Sequence, residues 1–456
     1  MTFWLDSGFF MKVLYLCASF HLKNSKNMKK MRLYNGTLLL AVALLMITTS
    51  TACNLNKSDK QAAGQNDQQT TEQTINQNNA KQADMEALAK VMTKYNMVDS
   101  FHDGLALVCE KGTDRYGFID KSGNEVIPCQ YYDVSHAFSD GVAVVSKNGE
   151  EWSFIDKQGK EIASVDGQLQ FYGGFQDGLM AFFKPSEEKE GYIDKSGKVV
   201  IPADLDMRMC NGPQSTDFSE GLCKRYDYDS QTSTFIDKTG KKVFECEGDA
   251  EDFSEGLAAV VRCFSKDNDD FVCRYGFVDK TGSEAIPFHF KHVGRFIDGL
   301  CWAETENSCG FINRNGGFEL TGDYQTLVLD EEIECGEHPL CPTFSEGLAW
   351  VCNKDSKFGY IDKTGHVVIP FRYEAGYDED SELYYQQPCY DFHDGLARIW
   401  DRTTEKYGYI DREGKEVFPC QFEYAEDMSE GLAIVERDGQ LGFIDDKGHC
   451  TLDLGK

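Results

Sequence analysis

F-H-D-G-L-A-L-V (residues 101–108), a short polar insert, and then Y-G-F-I-D-K-S-G-N-E-V-I-P-C-Q-Y (residues 116–131) form a unit that the chain repeats nine times. The glycine of its F-x-[DE]-G element falls at Gly104, Gly141, Gly178, Gly221, Gly256, Gly299, Gly347, Gly395 and Gly431, at spacings of 37, 37, 43, 35, 43, 48, 48 and 36 residues. A constant unit with inserts of variable length is the mark of a stacked or radial repeat architecture. A unit of this size cannot bury a core alone, so the repeats form one domain, not several.

Within the unit, G-L-A-x-V starts one short strand and Y-G-F-I-D a second, which ends at Asp-Lys-Ser/Thr-Gly, the residue preferences of a type I turn inside a hairpin connection. The chain returns as [EV]-V-I-P, a third strand. Proline removes a ladder donor, so this strand must end or lie at an edge, and Pro128, Pro202, Pro287, Pro370 and Pro419 all hold this position. The fold class expected is all-β, nine tandem repeats of 35–48 residues in a hairpin or meander solenoid. A closed β-propeller is the alternative; it is ranked second because its blades number four to eight and carry four strands each.

Of 456 residues, 46 are Lys or Arg and 76 Asp or Glu. Setting aside residues 1–52, which hold six basic residues and one acidic, leaves 40 against 75 and a net charge of −35. Such a chain repels phosphate backbones, which excludes nucleic acid as a partner. Solubility alone accounts for the charge, with a cationic partner or divalent metal as the sharper reading.

Four segments follow in order. Residues 1–52 read as a signal region: Met28-Lys29-Lys30-Met31-Arg32 is a basic start, which makes Met28 or Met31 the expected true first residue, and Leu38 to Ile47 is an apolar run too short to span a bilayer. Thr51-Ala52-Cys53 resembles the lipobox of bacterial lipoproteins, with Ser50 departing from its usual leucine. The resemblance implies lipidation of Cys53. Residues 53–83 are polar, unable to offset the entropy of ordering, and read as a tether. In residues 84–97, Met85, Leu88, Val91, Met92 and Tyr95 recur at helical spacing, which predicts a short amphipathic helix capping the open end of the array. The repeats occupy 98–456.

Two columns of carboxylates run through the repeats. Asp120, Asp156, Asp194, Asp237, Asp279, Asp362, Asp411 and Asp445, with Asn313 in the sixth copy, precede the hairpin turn. Asparagine serves the same turn chemistry, so this column reads as structural. Asp103, Asp140, Asp177, Glu220, Glu255, Asp298, Glu346, Asp394 and Glu430 precede the repeat glycine. Free exchange of Asp and Glu weakens a strict side-chain-to-backbone role and suggests partial exposure, and this column is the candidate site for a cation or basic partner; the alternative is that the Lys or Arg following the hairpin aspartate in most copies pairs with this column at the surface. The inserts Asp323–Thr343 and Asp378–Asp391 break the period. Inserts of such arrays carry binding, and Tyr384, Tyr385 and Tyr390 are the candidate contacts.

The repeat resembles the bacterial WG repeat, an aromatic-Gly pair leading into [YF]-I-D-[KR]-x-G-K-x-V-I-P and F-[SD]-[DE]-G-L-A. The tryptophan is replaced here: the pairs are Tyr116-Gly117, Tyr275-Gly276, Phe358-Gly359 and Tyr407-Gly408. The resemblance implies a β-rich envelope protein with a binding role and supplies no catalytic residue. Fifteen cysteines follow Cys53, an odd number, so at least one is unpaired. Cys335, His338 and Cys341 form the one compact ligand-like group, without the paired C-x-x-C of a zinc site. No nucleophile elbow, zinc-protease helix, phosphate loop or EF-hand is present. The expectation is a lipid-anchored protein of the bacterial envelope, at the outer membrane, with no catalytic residue, cofactor or metal. It acts as a scaffold for a protein partner; the alternative is a glycan-binding or glycan-acting envelope component, in which Tyr384, Tyr385 and Tyr390 stack on sugar and a carboxylate pair does acid-base work.

Overall fold

Four strands, not three, make a repeat. The computed structural model describes residues 84–206, 217–227, 229–265, 271–328, 339–378 and 383–454. In the second repeat Asp133–Ser139, Val142–Ser146, Trp152–Ile155 and Glu161–Val165 form an antiparallel meander. The strand absent from the sequence reading is the first, which ends at F-x-[DE]-G. Its residues D-V-S-H-A-F-S bury one side chain, Phe138, so they show no apolar run.

The acidic residue and the glycine that follow both have positive φ, 56° at Asp140 and 86° at Gly141. That pair of angles is a type I′ turn, whose twist matches the two strands it joins. Asp-Gly is a preferred sequence for it, so the F-x-[DE]-G column is a hairpin between the first and second strands.

Nine such sheets stand in a ring, a nine-bladed β-propeller. Seven have four strands and two have three, and two further hairpins stand apart. The expectation of a solenoid is corrected here, because the ninth repeat meets the first through the contacts that join every other pair. Phe118 packs edge-on against Phe138 of the next blade at 4.7 Å, Tyr192 against Phe218 at 5.0 Å, Tyr360 against Phe392 at 5.1 Å, and Phe443 meets Phe101 at 5.5 Å. Ser429 donates to the Phe101 carbonyl at 2.7 Å as Ser219 does to that of Phe253. A solenoid would leave these faces of the end repeats in water.

First strands of adjacent blades touch: a Cβ added at Gly174 would lie 2.6 Å from His136 Nε2 and 2.7 Å from Ser139 Oγ. They therefore line the axis, and fourth strands form the rim. The five repeated prolines lie in these rim strands, as an edge position requires, but the strand continues past them through a bulge. Between Phe118↔Ile127 and Tyr116↔Tyr131 the third strand advances two residues and the fourth four. The bulge crosses directly over Gly117, where a Cβ would lie 2.6 Å from the Ile127 carbonyl oxygen; Gly191, Gly276, Gly359 and Gly408 meet the same oxygen of their own blades at 2.6–2.8 Å. This close approach is the reason an aromatic is followed by glycine.

The N-terminal helix is shorter than expected. Residues 84–91 are helical, and Tyr95–Val98 already form the first strand of blade 1, pairing Tyr95 with Glu110 and Val98 with Val108. The three- and four-residue spacing ran on to Tyr95 because that side chain is buried from a strand instead of a helix. Nor does the helix cap an open end. Met85 and Leu88 are buried with Val98, Ala106 and Ile119 of blade 1 and with Leu432, Ile434 and Phe443 of blade 9. Among the described residues no helix is long and apolar enough to cross a membrane.

Candidate functional site

The acidic column sits at the turns between first and second strands, on one face of the ring, and its oxygens are engaged across the blade interfaces. Gly141 N–H donates to Asp103 at 2.7 Å, Gly221 to Asp177 at 2.6 Å and Gly431 to Asp394 at 2.8 Å. Glutamates do the same from Gly256 to Glu220 at 2.9 Å, and with both oxygens from Gly299 to Glu255, Gly395 to Glu346 and Gly104 to Glu430 at 3.0–3.2 Å. Each acceptor belongs to one blade and each donor to the next.

The bases also reach across. They pair with the acidic column, as the sequence suggested: Lys157 lies 3.7 Å from Asp103, Lys195 2.5 Å from Asp140, Lys280 3.1 Å from Glu220, Lys363 2.8 Å from Asp298 and Lys121 2.9 Å from Glu430. Lys238 and Arg314 approach Asp177 and Glu255 at 3.8 Å, and Arg412 donates to the Glu346 carbonyl at 2.6 Å. Strand alternation explains this, because turns joining third to fourth strands emerge on the same face as those joining first to second. Burial pushes the Glu220 and Glu430 carboxyls up, but Lys280 or Lys121 and the glycine N–H outweigh it and hold both below the usual range. The ninth repeat carries Asp446 where the base would stand.

The other carboxylate column bonds to its own turn. Asp120 Oδ1 accepts from the N–H groups of Ser122 and Asn124, and the same two-bond pattern recurs through Asn313 to Asp445. Hydroxyls at Ser196, Thr239, Thr281 and Thr364 add a bond and hold the carboxyls of Asp194, Asp237, Asp279 and Asp362 low.

The two inserts form hairpins in consecutive blades. Leu327–Val328 pairs with Pro339–Leu340 in the middle of the first strand of blade 7, after Tyr324–Gln325. Gly376–Asp378 pairs with Leu383–Gln386 where the chain passes from the rim of blade 7 to the axis of blade 8. Both thus grow out of, or lead into, axis-lining strands. Tyr384 and Tyr385 lie in the second hairpin. Tyr390 does not; it stands on the first strand of blade 8, Cys389–His393. Gln386 Nε2 donates to its hydroxyl at 2.5 Å, tying hairpin to blade. The Arg398 guanidinium covers its ring at 3.9 Å, lies 5.4 Å from the Tyr407 ring, donates to the Ala425 carbonyl at 2.5 Å and pairs with Asp427 at 3.2 Å. Burial pushes the Tyr390 hydroxyl well up, so it is a neutral donor and acceptor.

One column was missed in the sequence. The residue before the buried phenylalanine, Met428 in the ninth copy, runs Ser100, Ala137, Gly174, Asp217, Asp252, Arg295, Thr343, Asp391 and Asp427. Its members are neighbours round the ring: after burial, the Asp252 charge raises the Asp217 carboxyl, Lys224 and Arg295 work to lower that of Asp252, and Thr343 donates to Asp391 at 2.8 Å. Burial raises the carboxyls of Asp217, Asp252 and Asp391. Setting the nine repeats in register on their glycines would have exposed it.

Cys263 and Cys273 form a disulfide across the long hairpin of blade 5. Burial pushes the Cys129 thiol up to about 11 and those of Cys223 and Cys341 to about 12. Cys335 and His338 lie outside the described residues, and among those described no cluster of three or more His, Cys, Asp or Glu has the arrangement of a metal site.

The WG containing repeat is matched at residues 116–150, 191–207, 234–262, 275–309, 358–399 and 407–440. No curated protein matches the chain. Similar solved structures include a eukaryotic initiation factor (12% identity, 74% of this chain and 92% of that one, TM-score 0.45) and the computationally designed Ika8 protein (12%, 69% and 96%, 0.37). BamB from Moraxella catarrhalis is a third (9%, 67% and 93%, 0.33). At these scores the likenesses carry no argument about function.

Proposed function

This chain is a WG-repeat protein, and from that premise we propose that it is a non-enzymatic binding propeller, lipid-anchored through Cys53 at the bacterial envelope, which scaffolds a protein partner. A propeller of repeated blades is compatible with a binding or scaffold role. The observation that carries the reading is where the repeat breaks. Carboxylates of the regular acidic column are engaged in holding the ring, whereas the two inserted hairpins of blades 7 and 8 add chain that no blade needs. They adjoin axis-lining strands of neighbouring blades, and the second is tied through Gln386 to the Tyr390–Arg398–Tyr407 group. Broad contact with a partner there would draw on aromatic and guanidinium groups of the kind that anchor interfaces.

The test uses the full chain with Cys53→Ser as bait for solubilised bacterial envelope, beside a variant whose insert residues 329–338 and 379–382 are replaced by short Gly-Ser turns. One protein retained at near-equal ratio by the first and lost from the second is the expected result. Retention of polysaccharide without protein would put a glycan in the partner's place. An identical capture by both baits would remove the hairpins from the reading. The anchor is tested separately, by incorporation of labelled fatty acid that disappears in Cys53→Ser.

A further inference from the structure

In eight blades the glycine of the turn between third and fourth strands rests on the fourth strand of the blade before. A Cβ at Gly159 would meet Ile127 at 3.3 Å, at Gly240 Ile201 at 3.0 Å, and at Gly414 Ile369 at 2.9 Å. Blade 1 is the exception. Its Gly123 rests on the helix at residues 84–91, 3.0 Å from Val91 and 3.4 Å from Ala87.

The ninth blade shows why. Its sheet has three strands, Tyr424–Ala425, Leu432–Arg437 and Gln440–Asp445, followed by a single bridge from Ile444 to Cys450 and a short turn of helix. The helix at 84–91 therefore stands where the fourth strand of blade 9 would stand. Among the described residues no strand is shared between blades 1 and 9, and this helix covers the seam.

Its attachments to the two sides differ in kind. Toward blade 1 the chain runs on into the strand Tyr95–Val98, Met85 and Leu88 pack against Val98, Ala106 and Ile119, and polar bonds are added: Lys94 pairs with Glu125 at 2.6 Å and Glu110 at 3.4 Å, and Lys111 Nζ donates to the Thr93 carbonyl at 2.9 Å. Toward blade 9 the attachments are apolar, Met85 and Leu88 against Leu432, Ile434 and Phe443. A groove of about 580 Å³ runs beside the helix, lined by Met92, Leu441, Leu452 and Leu454. The segment is hinged on one blade and closes on the other.

We propose that residues 84–94 are a releasable strap whose detachment from blade 9 opens the propeller at this one interface while the blades stay folded. In the sequence Cys53 and the polar stretch lead straight into Asp84. A load on that stretch falls on the strap before it reaches a blade. The strap itself does not depend on the anchoring proposed above; only the source of the load does.

The test is amide hydrogen exchange on the full chain. Gly104 N–H, which donates to Glu430 across the seam, is compared with Gly256 N–H, which donates to Glu220 at an ordinary interface. Leu88→Asp, or Leu88→Ala if the first does not fold, is expected to speed exchange of the Gly104 peptide at least tenfold and leave the Gly256 peptide unchanged. In a Ser100→Cys/Glu426→Cys background, where the two side chains that meet across the seam are joined by a short bis-maleimide, the acceleration should disappear. Equal acceleration of both peptides, no acceleration of either, or acceleration that survives the cross-link would each overturn the strap.

Discussion

Replacing Gly408 by alanine tests why an aromatic is followed by glycine in this repeat. The new Cβ would lie 2.6 Å from the Phe418 carbonyl oxygen, 2.8 Å from the Cys420 nitrogen and 2.9 Å from the Pro419 carbonyl carbon. A comfortable C···O approach is about 3.3–3.6 Å, so the bulge must retreat by roughly 0.7 Å or more. These are backbone atoms, pinned on both sides by the pairs Tyr407↔Phe422 and Tyr409↔Phe418, and Phe418 and Phe422 are themselves core residues. Overpacking of this kind costs about 1–3 kcal/mol. Alanine's stiffer unfolded chain offsets about 0.4–1 kcal/mol, leaving a net loss of about 1–2 kcal/mol.

Urea unfolding followed through the fluorescence of Trp400, buried in the same blade, reads the change as a lower midpoint at unchanged slope. Deleting Pro419 and Cys420 removes the two extra residues and restores a regular ladder. In that background Gly408→Ala should lose most of its cost, the sign of coupling between neighbours. Gly395 is the control: its φ is +83° with nothing within 4 Å of an added Cβ, so Gly395→Ala pays for backbone strain, about 1–2 kcal/mol, and ignores the deletion. A Gly408→Ala chain within about 0.5 kcal/mol of the parent would refute the close-approach explanation.

Glu430→Gln keeps the shape of the seam acceptor but removes the charge that Gly104 N–H and Lys121 meet; a loss of about 1 kcal/mol in urea unfolding is expected, shrinking with added salt as the Lys121 share is screened. Because the folded Glu430 carboxyl is held low, its contribution is fully present above the unfolded carboxylate range and is lost as pH falls through the folded value, so parent and Glu430→Gln should converge in acid. Asp252 has the opposite sign: burial raises its carboxyl, the penalty is full at pH 7 and absent in acid, and Asp252→Asn should be more stable than the parent at pH 7 with the advantage vanishing as pH drops. Cys223 and Cys389, buried with thiols pushed up, should resist iodoacetamide at pH 7.5 until the chain is unfolded, while reductant should release the exposed Cys263 and Cys273 from the folded protein.

The parts of the fold that could be read from the sequence are those written in local chemistry. The Asp-Lys-Ser-Gly turn and the edge position of Pro128 and its equivalents needed only dihedral and hydrogen-bond preferences. The first strand was hidden because D-V-S-H-A-F-S lines an axis and buries only Phe138. Ring closure was hidden for a different reason: one repeat specifies how it meets the next, not the small rotation per repeat that decides whether the last meets the first. A usable signal was nonetheless present. Terminal repeats of an open array need polar outer faces, yet Phe101 in the first and Leu432, Ile434 and Phe443 in the last are as apolar as their counterparts inside the array, which is what a closed ring requires.

The acidic column shows how a correct observation supports an incomplete inference: its side chains are part-exposed, 28–52%, and still hold a fixed acceptor role. Asp and Glu do exchange freely at the residue before the repeat glycine, and in an isolated hairpin that would mean an exposed side chain with no fixed acceptor role. Across an interface the same exchange has another meaning. The shorter carboxylates of Asp103, Asp177 and Asp394 take one bond of 2.6–2.8 Å from the neighbouring glycine, whereas Glu255, Glu346 and Glu430 take two of 3.0–3.2 Å. Either length satisfies the same N–H, because the donor lies on another blade and the side chain has room to choose its approach. Asp/Glu exchange therefore measures tolerance of reach, and only the neighbouring blade's glycine separates that from exposure.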